Sequence, residues 1–226
     1  MDFQCNSEVS IPVNNLMLKG ELVIPFKAKS IVVFSHGSGS SYRSSRNLMV
    51  ARHLHTRQIG TLLFDLLTPE EDMHYNNRFD ISLLTKRLMA AVSWLEKQPS
   101  AKGTVLGLFG ASTGAASALR VASTLPAIGA VVSRGGRPDL VMDDLPAVQA
   151  PVLLIVGSLD YDVLQLNEKA YAKLNCEKKL EVVAGATHLF EEHGMMEKVA
   201  ALASQWFMKH LGPVALSSRS AISSAK

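Results

Sequence analysis

A serine at position 112 stands in the pattern Gly-Ala-Ser-Thr-Gly, between an apolar run and a run of small residues. The run before it, residues 103–109, is typical of a buried β-strand, and residues 115–120 are typical of a helix. A serine on such a tight strand-to-helix turn has its hydroxyl exposed above the sheet, and the flanking glycines let strand and helix approach closely. This context predicts that Ser112 is a nucleophile, although the five-residue pattern alone also occurs in ordinary turns.

A serine hydroxyl needs a base to remove its proton, and a histidine held by a carboxylate is the usual combination. Asp160 follows the apolar run 151–157, and His188 follows a short strand and a glycine-containing loop. All three residues come after the carboxyl ends of predicted strands, where parallel sheets bind ligands, and their order matches that of hydrolases with such a turn. Catalytic roles are therefore predicted for Ser112, Asp160 and His188.

Each partner also has a structural interpretation. Asp160 could cap the helix that follows it, and Asp162 competes for either role. His188 could cap a helix or lie exposed on the surface. His188 is favoured as the base because it alone follows a strand and a glycine-containing loop. The other histidines are rivals: His36, His53, His55, His74, His193 and His210.

A second loop could stabilise negative charge on a reacting oxygen. Residues 30–35 predict a buried strand, and His-Gly-Ser-Gly-Ser-Ser follows at 36–41. Such a loop can offer one backbone N–H to an oxyanion, and the residue after the nucleophile offers another. The predicted donors are the amides of Ser38 and Thr113. The alternatives are a flexible connection and a phosphate-binding loop, although the Lys-Ser/Thr ending of a P-loop is missing.

Two arginines flank a Gly-Gly pair in the loop 133–139, beyond the predicted strand 128–133. Arg134 and Arg137 could bind a substrate carboxylate through forked hydrogen bonds, and His36 is a further candidate for a substrate contact. The structural alternative, which is favoured, pairs one of these arginines with Asp139, Asp143 or Asp144. In the front loop, Arg43 and Arg46 are weaker candidates of the same kind.

The segments that must position these residues alternate between strand-like and helix-like patterns. This alternation predicts an α/β fold with a mostly parallel central sheet and helices on both faces. A hairpin is predicted at residues 9–13 and 16–24, further strands at 60–65 and near 152 and 180, and helices at 46–57, 81–97 and near the C-terminus.

The length of 226 residues fits one domain, predicted over 1–212, with residues 213–226 as a flexible tail. The polar stretch 66–80 is long for a connection; it either borders the site or is an exposed excursion. There is no room for a large cap, which predicts an open cleft and a small substrate.

Four segments together resemble the α/β-hydrolase superfamily and, within it, the dienelactone-hydrolase-like group: residues 35–40, 110–114, 156–160 and 185–188. The chain is similar to compact bacterial members, some of which are joined to phosphoribosyltransferase domains. The resemblance implies the α/β-hydrolase fold with minimal or no cap. It places the nucleophile, acid and base on Ser112, Asp160 and His188. Dienelactone hydrolase itself uses a cysteine nucleophile, so the serine here favours ordinary esters over lactones.

The net charge of +3 is too small and too scattered to predict nucleic-acid binding. Cys5 and Cys176 lack metal-ligand spacing, and no metal or organic cofactor is expected. The sequence shows neither a leader peptide nor a membrane span, which predicts a cytoplasmic protein without a membrane partner.

The sequence as a whole predicts a serine hydrolase that cleaves a small carboxylic ester or lactone through an acyl-enzyme. Two alternatives stay open. One is a thioesterase or acyltransferase with the same residues, and the other is a non-enzymatic ligand-binding module on the same fold.

Overall fold

A computed structural model describes residues 2–212; the predicted tail at 213–226 lies outside the described residues. One eight-stranded sheet runs through the molecule, and its spatial order is β1-β2-β4-β3-β5-β6-β7-β8. The strands are β1 (Phe3–Val13), β2 (Leu16–Pro25), β3 (Ser30–Ser35), β4 (Ile59–Phe64), β5 (Val105–Ala111), β6 (Ala130–Arg134), β7 (Val152–Gly157) and β8 (Lys178–Val183).

The helices of the described residues alternate with the parallel strands. They are α1 (Ser45–His55), α2 (Pro69–Asp72), α3 (Ile81–Glu96), α4 (Thr113–Thr124), α5 (Tyr161–Lys173) and α6 (Met195–His210). Strands β1 and β2 pair antiparallel with each other, and β2 pairs antiparallel with β4. Every other pair in the sheet is parallel. The predicted mostly parallel α/β fold is therefore confirmed.

Two apolar layers hold the helices against the sheet. Helices α3 and α4 cover one face, with Leu88 and Leu119 among the side chains that are fully buried there. Helices α1 and α6 cover the other face, where Leu54 and Phe207 are fully buried. Because β3, β4 and β7 are buried along their whole length, their sequences are apolar runs rather than alternating patterns. The layers fix β5 in the centre and leave the carboxyl ends of the strands free to carry loops.

The stretch at 66–80 contains more regular structure than its polar composition suggests. Thr68 and Glu71 form a capping box around α2, and Glu71 also accepts a 2.5 Å hydrogen bond from buried Arg87 of α3. A 3₁₀ turn, Tyr75–Phe79, follows and is tied back by the Arg78–Asp72 ion pair. The Arg78 guanidinium also approaches Gly39, so this segment packs beside the loop that follows β3.

Candidate active site

Ser112 occupies a strained turn between β5 and α4. Its φ of 51° and ψ of −120° lie in a region that residues with a side chain rarely adopt. Two backbone hydrogen bonds, one with the last residue of β6 and one with the loop after it, hold the turn. The Ser112 N–H donates to the Arg134 carbonyl over 3.2 Å, and the Arg137 N–H donates to the Ser112 carbonyl over 3.1 Å. The strain is therefore maintained by neighbouring backbone, as expected for a preorganised nucleophile.

Gly114 lets α4 begin directly against the end of β3. A Cβ atom at this position would lie 2.1 Å from the Ser35 carbonyl oxygen and 2.4 Å from that of His36. The Ser117 hydroxyl reinforces the contact, since it lies 2.8 Å from the Ser35 hydroxyl in a fully buried pair. The nucleophile turn and the loop after β3 are thus held at a fixed spacing.

Asp160 and His188 are joined directly. The His188 Nδ1–H donates to Asp160 Oδ2 over 2.6 Å. Asp160 is the residue before α5, but its side chain makes no capping hydrogen bond and is used for the histidine instead. The two loops are also connected through Ser158, whose hydroxyl accepts the Gly185 N–H over 2.8 Å. The bond to Asp160 uses Nδ1 of His188, and Nε2 has no partner among the described residues.

Ser112 and His188 line one cavity of about 170 Å³ at the carboxyl ends of the strands. Among the described residues, their side chains share no direct hydrogen bond. The structure therefore brings the predicted nucleophile and base to one space, and it bonds the base to the predicted acid. The other residues that line this cavity are Gly37, Ser38, Ser40, Arg46, Asn47, Arg134 and Leu189.

Two backbone amides near Ser112 are free to bind an oxyanion. Within residues 2–212, the N–H groups of Ser38 and Thr113 donate to no protein acceptor. Thr113 is the first residue of α4, where the helix dipole adds partial positive charge. Ser38 lies in a turn closed by the Ser40 N–H, which donates to the Gly37 carbonyl over 3.2 Å. Both predicted donors are thus placed at the nucleophile's end of the sheet.

His36 has a structural role in this loop. The Leu66 N–H donates to its Nε2 over 3.0 Å, and its Nδ1–H donates to the Gly37 carbonyl over 2.9 Å. Burial lowers the pKa of His36, which keeps the imidazole neutral, as an acceptor at Nε2 requires. Both ring nitrogens are used within the protein. The substrate contact predicted for His36 stays a prediction, and it would have to be made without a free ring nitrogen.

The two arginines of the β6 loop have different environments. Arg137 makes a two-pronged ion pair with Asp139, with both N···O distances at 2.8 Å, and it does not line the cavity. This pairing is the structural alternative that the sequence analysis favoured. Arg134 does line the cavity with Ser112. Its guanidinium carbon lies 5.9 Å from the centre of the Phe190 ring.

Two positioning residues escaped the sequence analysis. Gly135 has a φ of 50°, and a Cβ there would lie 3.4 Å from ring atoms of His188. Phe190 is fully buried with a φ of 57°, an unusual conformation for a bulky residue. The Gly-Gly pair was a visible signal for the first of these. Nothing in the sequence around Phe190 marks its backbone conformation.

Asn47 was also missed. It is 2 % exposed and lines the cavity from the first turn of α1, beside Arg46. Its place in the first turn of the helix that follows the glycine-rich loop was the available signal. Within residues 2–212, no helix is long and apolar enough to cross a bilayer. Nor do three or more His, Cys, Asp or Glu side chains of that range meet in a possible metal site.

Comparison with known proteins gives consistent results. The sequence model of the dienelactone hydrolase family matches residues 45–211. The crystal structure of a dienelactone hydrolase from Anabaena variabilis is 48 % identical, with a TM-score of 0.90 over 93 % of this chain and all of that chain. Est1E from Butyrivibrio proteoclasticus shares the fold at 16 % identity, with a TM-score of 0.78 over 90 % of this chain and 98 % of its own.

Two relatives from Mycobacterium tuberculosis, strains CDC 1551 and H37Rv, are named phosphoribosyl transferases. Each is 52 % identical over 92 % of this chain, but this chain spans only 47 % of their length. The family match, by contrast, covers most of the chain, including the Ser112 turn, Asp160 and His188. The chain therefore belongs to the dienelactone hydrolase family and has the α/β-hydrolase fold.

Proposed function

We propose that the protein hydrolyses small carboxylic esters, lactones included, through an acyl-enzyme formed on Ser112. One observation carries this proposal: His188, hydrogen-bonded to Asp160 over 2.6 Å, lines the same cavity as the strained Ser112. A hydroxyl, an imidazole and a carboxylate that orients the imidazole are the three groups that this mechanism of acyl transfer uses.

His188 acts as the base in this proposal. The bond from Nδ1 to Asp160 fixes the tautomer with a free Nε2, which can accept the proton of Ser112. The carboxylate of Asp160 also stabilises the imidazolium that results. A direct Ser112–His188 bond is not required before substrate binds, because such bonds often tighten only in the substrate complex.

The attack of Ser112 on the ester carbonyl creates a negatively charged oxygen. The free amides of Ser38 and Thr113 would donate to that oxygen. The loss of one such donor typically costs about 3 kcal/mol of transition-state stabilisation. His188 then protonates the leaving alcohol, and the same residue activates the water that releases the acid from Ser112.

The experiment compares wild type with Ser112→Ala on p-nitrophenyl acetate, together with labelling by a fluorophosphonate probe. Ser112→Ala should lower kcat by about 10⁴-fold or more and abolish labelling, with an unchanged circular dichroism spectrum. Ser123→Ala is the matched control. Ser123 lies near the other end of α4 and donates to the Arg120 carbonyl, so its loss should leave both readouts unchanged.

Unchanged turnover in Ser112→Ala would contradict the nucleophile assignment. Folded wild-type protein that neither reacts with the probe nor turns over an ester would favour a ligand-binding module. A panel of matched esters and thioesters separates ester hydrolysis from thioesterase chemistry, which would use the same residues.

A further inference from the structure

Asn47 has a buried carboxamide that the fold does not use. The residue is 2 % exposed, and its Oδ1 has no hydrogen-bond partner within residues 2–212. The backbone N–H of Asn47, by contrast, is used, because it donates to the Ser44 hydroxyl that caps α1. Leaving a buried polar atom unpaired costs free energy, so such atoms are normally satisfied by protein, water or a ligand. Asn47 lines the cavity above Ser112, where a ligand can reach it.

Another buried asparagine shows what a structural carboxamide does in this chain. Asn167 is fully buried, and its Nδ2 donates to the carbonyls of Gly136 and Val163 over 3.0 and 2.8 Å. Its Oδ1 also has no protein partner in the described range, but Asn167 does not line the cavity above Ser112. The side chain of Asn47 makes no hydrogen bond within residues 2–212. Asn47 therefore has no structural bonds of the kind that explain Asn167.

The cavity that Asn47 lines is small and polar. Its volume is about 170 Å³, which is below the roughly 300 Å³ of the smallest sites for drug-sized ligands. Apart from Gly37 and Leu189, the described residues that line it all have polar side chains. A cavity of this size and composition suits a short hydrophilic group better than a long alkyl chain.

Asn47 lies on the side of the cavity that carries His188. Its neighbour Arg46 is ion-paired with Glu191 over 2.7 Å, and Glu191 belongs to the loop that follows His188. This ion pair joins the first turn of α1 to that loop. In the proposed mechanism His188 protonates the leaving alcohol, so the alcohol part of the ester must lie beside its imidazole. The substrate group that meets Asn47 therefore belongs to the alcohol.

The chemistry of the carboxamide specifies that group further. A carbonyl oxygen such as Oδ1 of Asn47 only accepts, so its partner has to donate a hydrogen bond. A hydroxyl is the simplest neutral donor that an alcohol can carry in addition to its ester oxygen. Because a hydroxyl can also accept, it suits both the oxygen and the nitrogen of the carboxamide.

We infer that Asn47 determines specificity by binding a free hydroxyl on the alcohol part of the substrate, so that the preferred substrates are short esters of diols or other polyhydroxy alcohols. This inference rests on the proposed ester hydrolysis, which decides that the alcohol lies at Asn47. The monoacetate of ethylene glycol is a simple substrate of this class, since its free hydroxyl lies two carbons from the ester oxygen.

The kinetic test uses a matched pair, 2-hydroxyethyl acetate and its methyl ether, 2-methoxyethyl acetate. The two esters share the acyl group and the outer oxygen, but only the first has a proton to donate from that oxygen. Wild type should favour the hydroxy ester by about tenfold in kcat/KM, as expected for one neutral hydrogen bond to a buried acceptor.

Two variants at position 47 separate the hydrogen bond from the shape of the side chain. Asn47→Leu removes the acceptor and should abolish the preference, whereas Asn47→Asp keeps an acceptor oxygen and should retain it. Asn175→Leu is the control, because that exposed asparagine donates to the Pro146 carbonyl and lies outside the cavity. It should show the wild-type ratio. A preference that persists in folded Asn47→Leu would overturn the inference.

A binding measurement keeps the test valid if Asn47→Leu folds poorly. Ser112→Ala protein with Asn47 intact should bind 2-hydroxyethyl acetate about tenfold more tightly than 2-methoxyethyl acetate in an NMR titration. Equal binding of the two esters would overturn the inference.

The outcomes also separate the inference from the proposed function. Turnover of both esters without a preference for the hydroxyl would refute the hydroxyl subsite and leave the esterase proposal intact. Hydroxyl-selective binding by a wild-type protein that hydrolyses neither ester would support the subsite and refute the esterase proposal.

Discussion

The two ends of the sheet carry cavities of very different character. At the carboxyl ends of the strands, the cavity above Ser112 measures about 170 Å³. At the opposite end, a cavity of about 510 Å³ lies beside the starts of β5 and β6. The larger cavity is lined mostly by apolar and small residues, with Glu96 and Lys102 as its charged side chains.

Size alone would therefore favour the end of the sheet opposite the candidate site. The smaller cavity brings together the features that a fold does not need for its own stability: strain at Ser112, a histidine–carboxylate pair and the unpaired charge of Arg134. The larger cavity has none of these among the described residues. Strain and unsatisfied polar groups identify a site better than volume does.

The largest expected loss of activity from a change at the carboxyl ends of the strands is that of Asp160→Asn. Asp160→Asn should keep the fold but remove the charge that orients His188, and kcat should fall by about 10⁴-fold. Ester turnover and a thermal melt measure the two effects. Asp162→Asn is the control, since that neighbouring aspartate is exposed and outside the pair. Comparable losses in the two variants would contradict the assignment.

A matched pair of glycines, one at each end of the sheet, tests the comparison of the two ends with a smaller expected loss of kcat. Gly135 and Gly103 both have positive φ, and a Cβ at Gly103 would meet nothing within 4 Å. Gly135→Ala and Gly103→Ala should each cost about 1–2 kcal/mol of stability for the strained backbone. Only Gly135→Ala should also reduce kcat, by about 10- to 100-fold, because its Cβ presses on His188.

Chemical denaturation and ester turnover measure both quantities for the two glycine variants. A normal kcat in folded Gly135→Ala would show that His188 is not held by this contact. A reduced kcat in Gly103→Ala would show that the two ends of the sheet are coupled.

The smallest expected effect on activity is at the large cavity. Ile128 is 3 % exposed and lines this cavity, so Ile128→Ala should destabilise the protein by about 2 kcal/mol or more. Its kcat/KM should equal that of wild type, measured well below the melting temperature. A clear loss of kcat/KM in the folded variant would assign the large cavity a part in catalysis.

Local patterns carried much of the prediction. The Ser112 turn, the strand ends before Asp160 and His188, and the glycine-rich loop are all encoded within a few residues, because each depends on neighbouring backbone. The alternation of segments likewise predicted the parallel sheet. Most of the predicted helices and strands lie within a few residues of the expected positions, but β1 begins at Phe3 rather than at residue 9.

The features that the sequence analysis did not predict depend on contacts between residues that are distant in sequence. Helix α2 is supported by Arg87, which lies on another helix, so composition alone suggested a loop. Arg137 is paired and Arg134 is not, because Asp139 lies two residues after Arg137. Gly135, with its positive φ, turns the chain between the two arginines. The structural role of His36 could not be foreseen from local sequence, because its bond to the Leu66 amide spans 30 positions.

The backbone around Ser112 has a practical consequence for protein engineering. The carbonyl of residue 134 and the amide of residue 137 are hydrogen-bonded to the backbone of Ser112, and residue 134 also lines the cavity. A side-chain exchange at 134 should therefore change the lining of the cavity while the backbone bonds to Ser112 are kept. Insertions or deletions between 134 and 137 would remove those bonds, so libraries should keep the length of this loop constant.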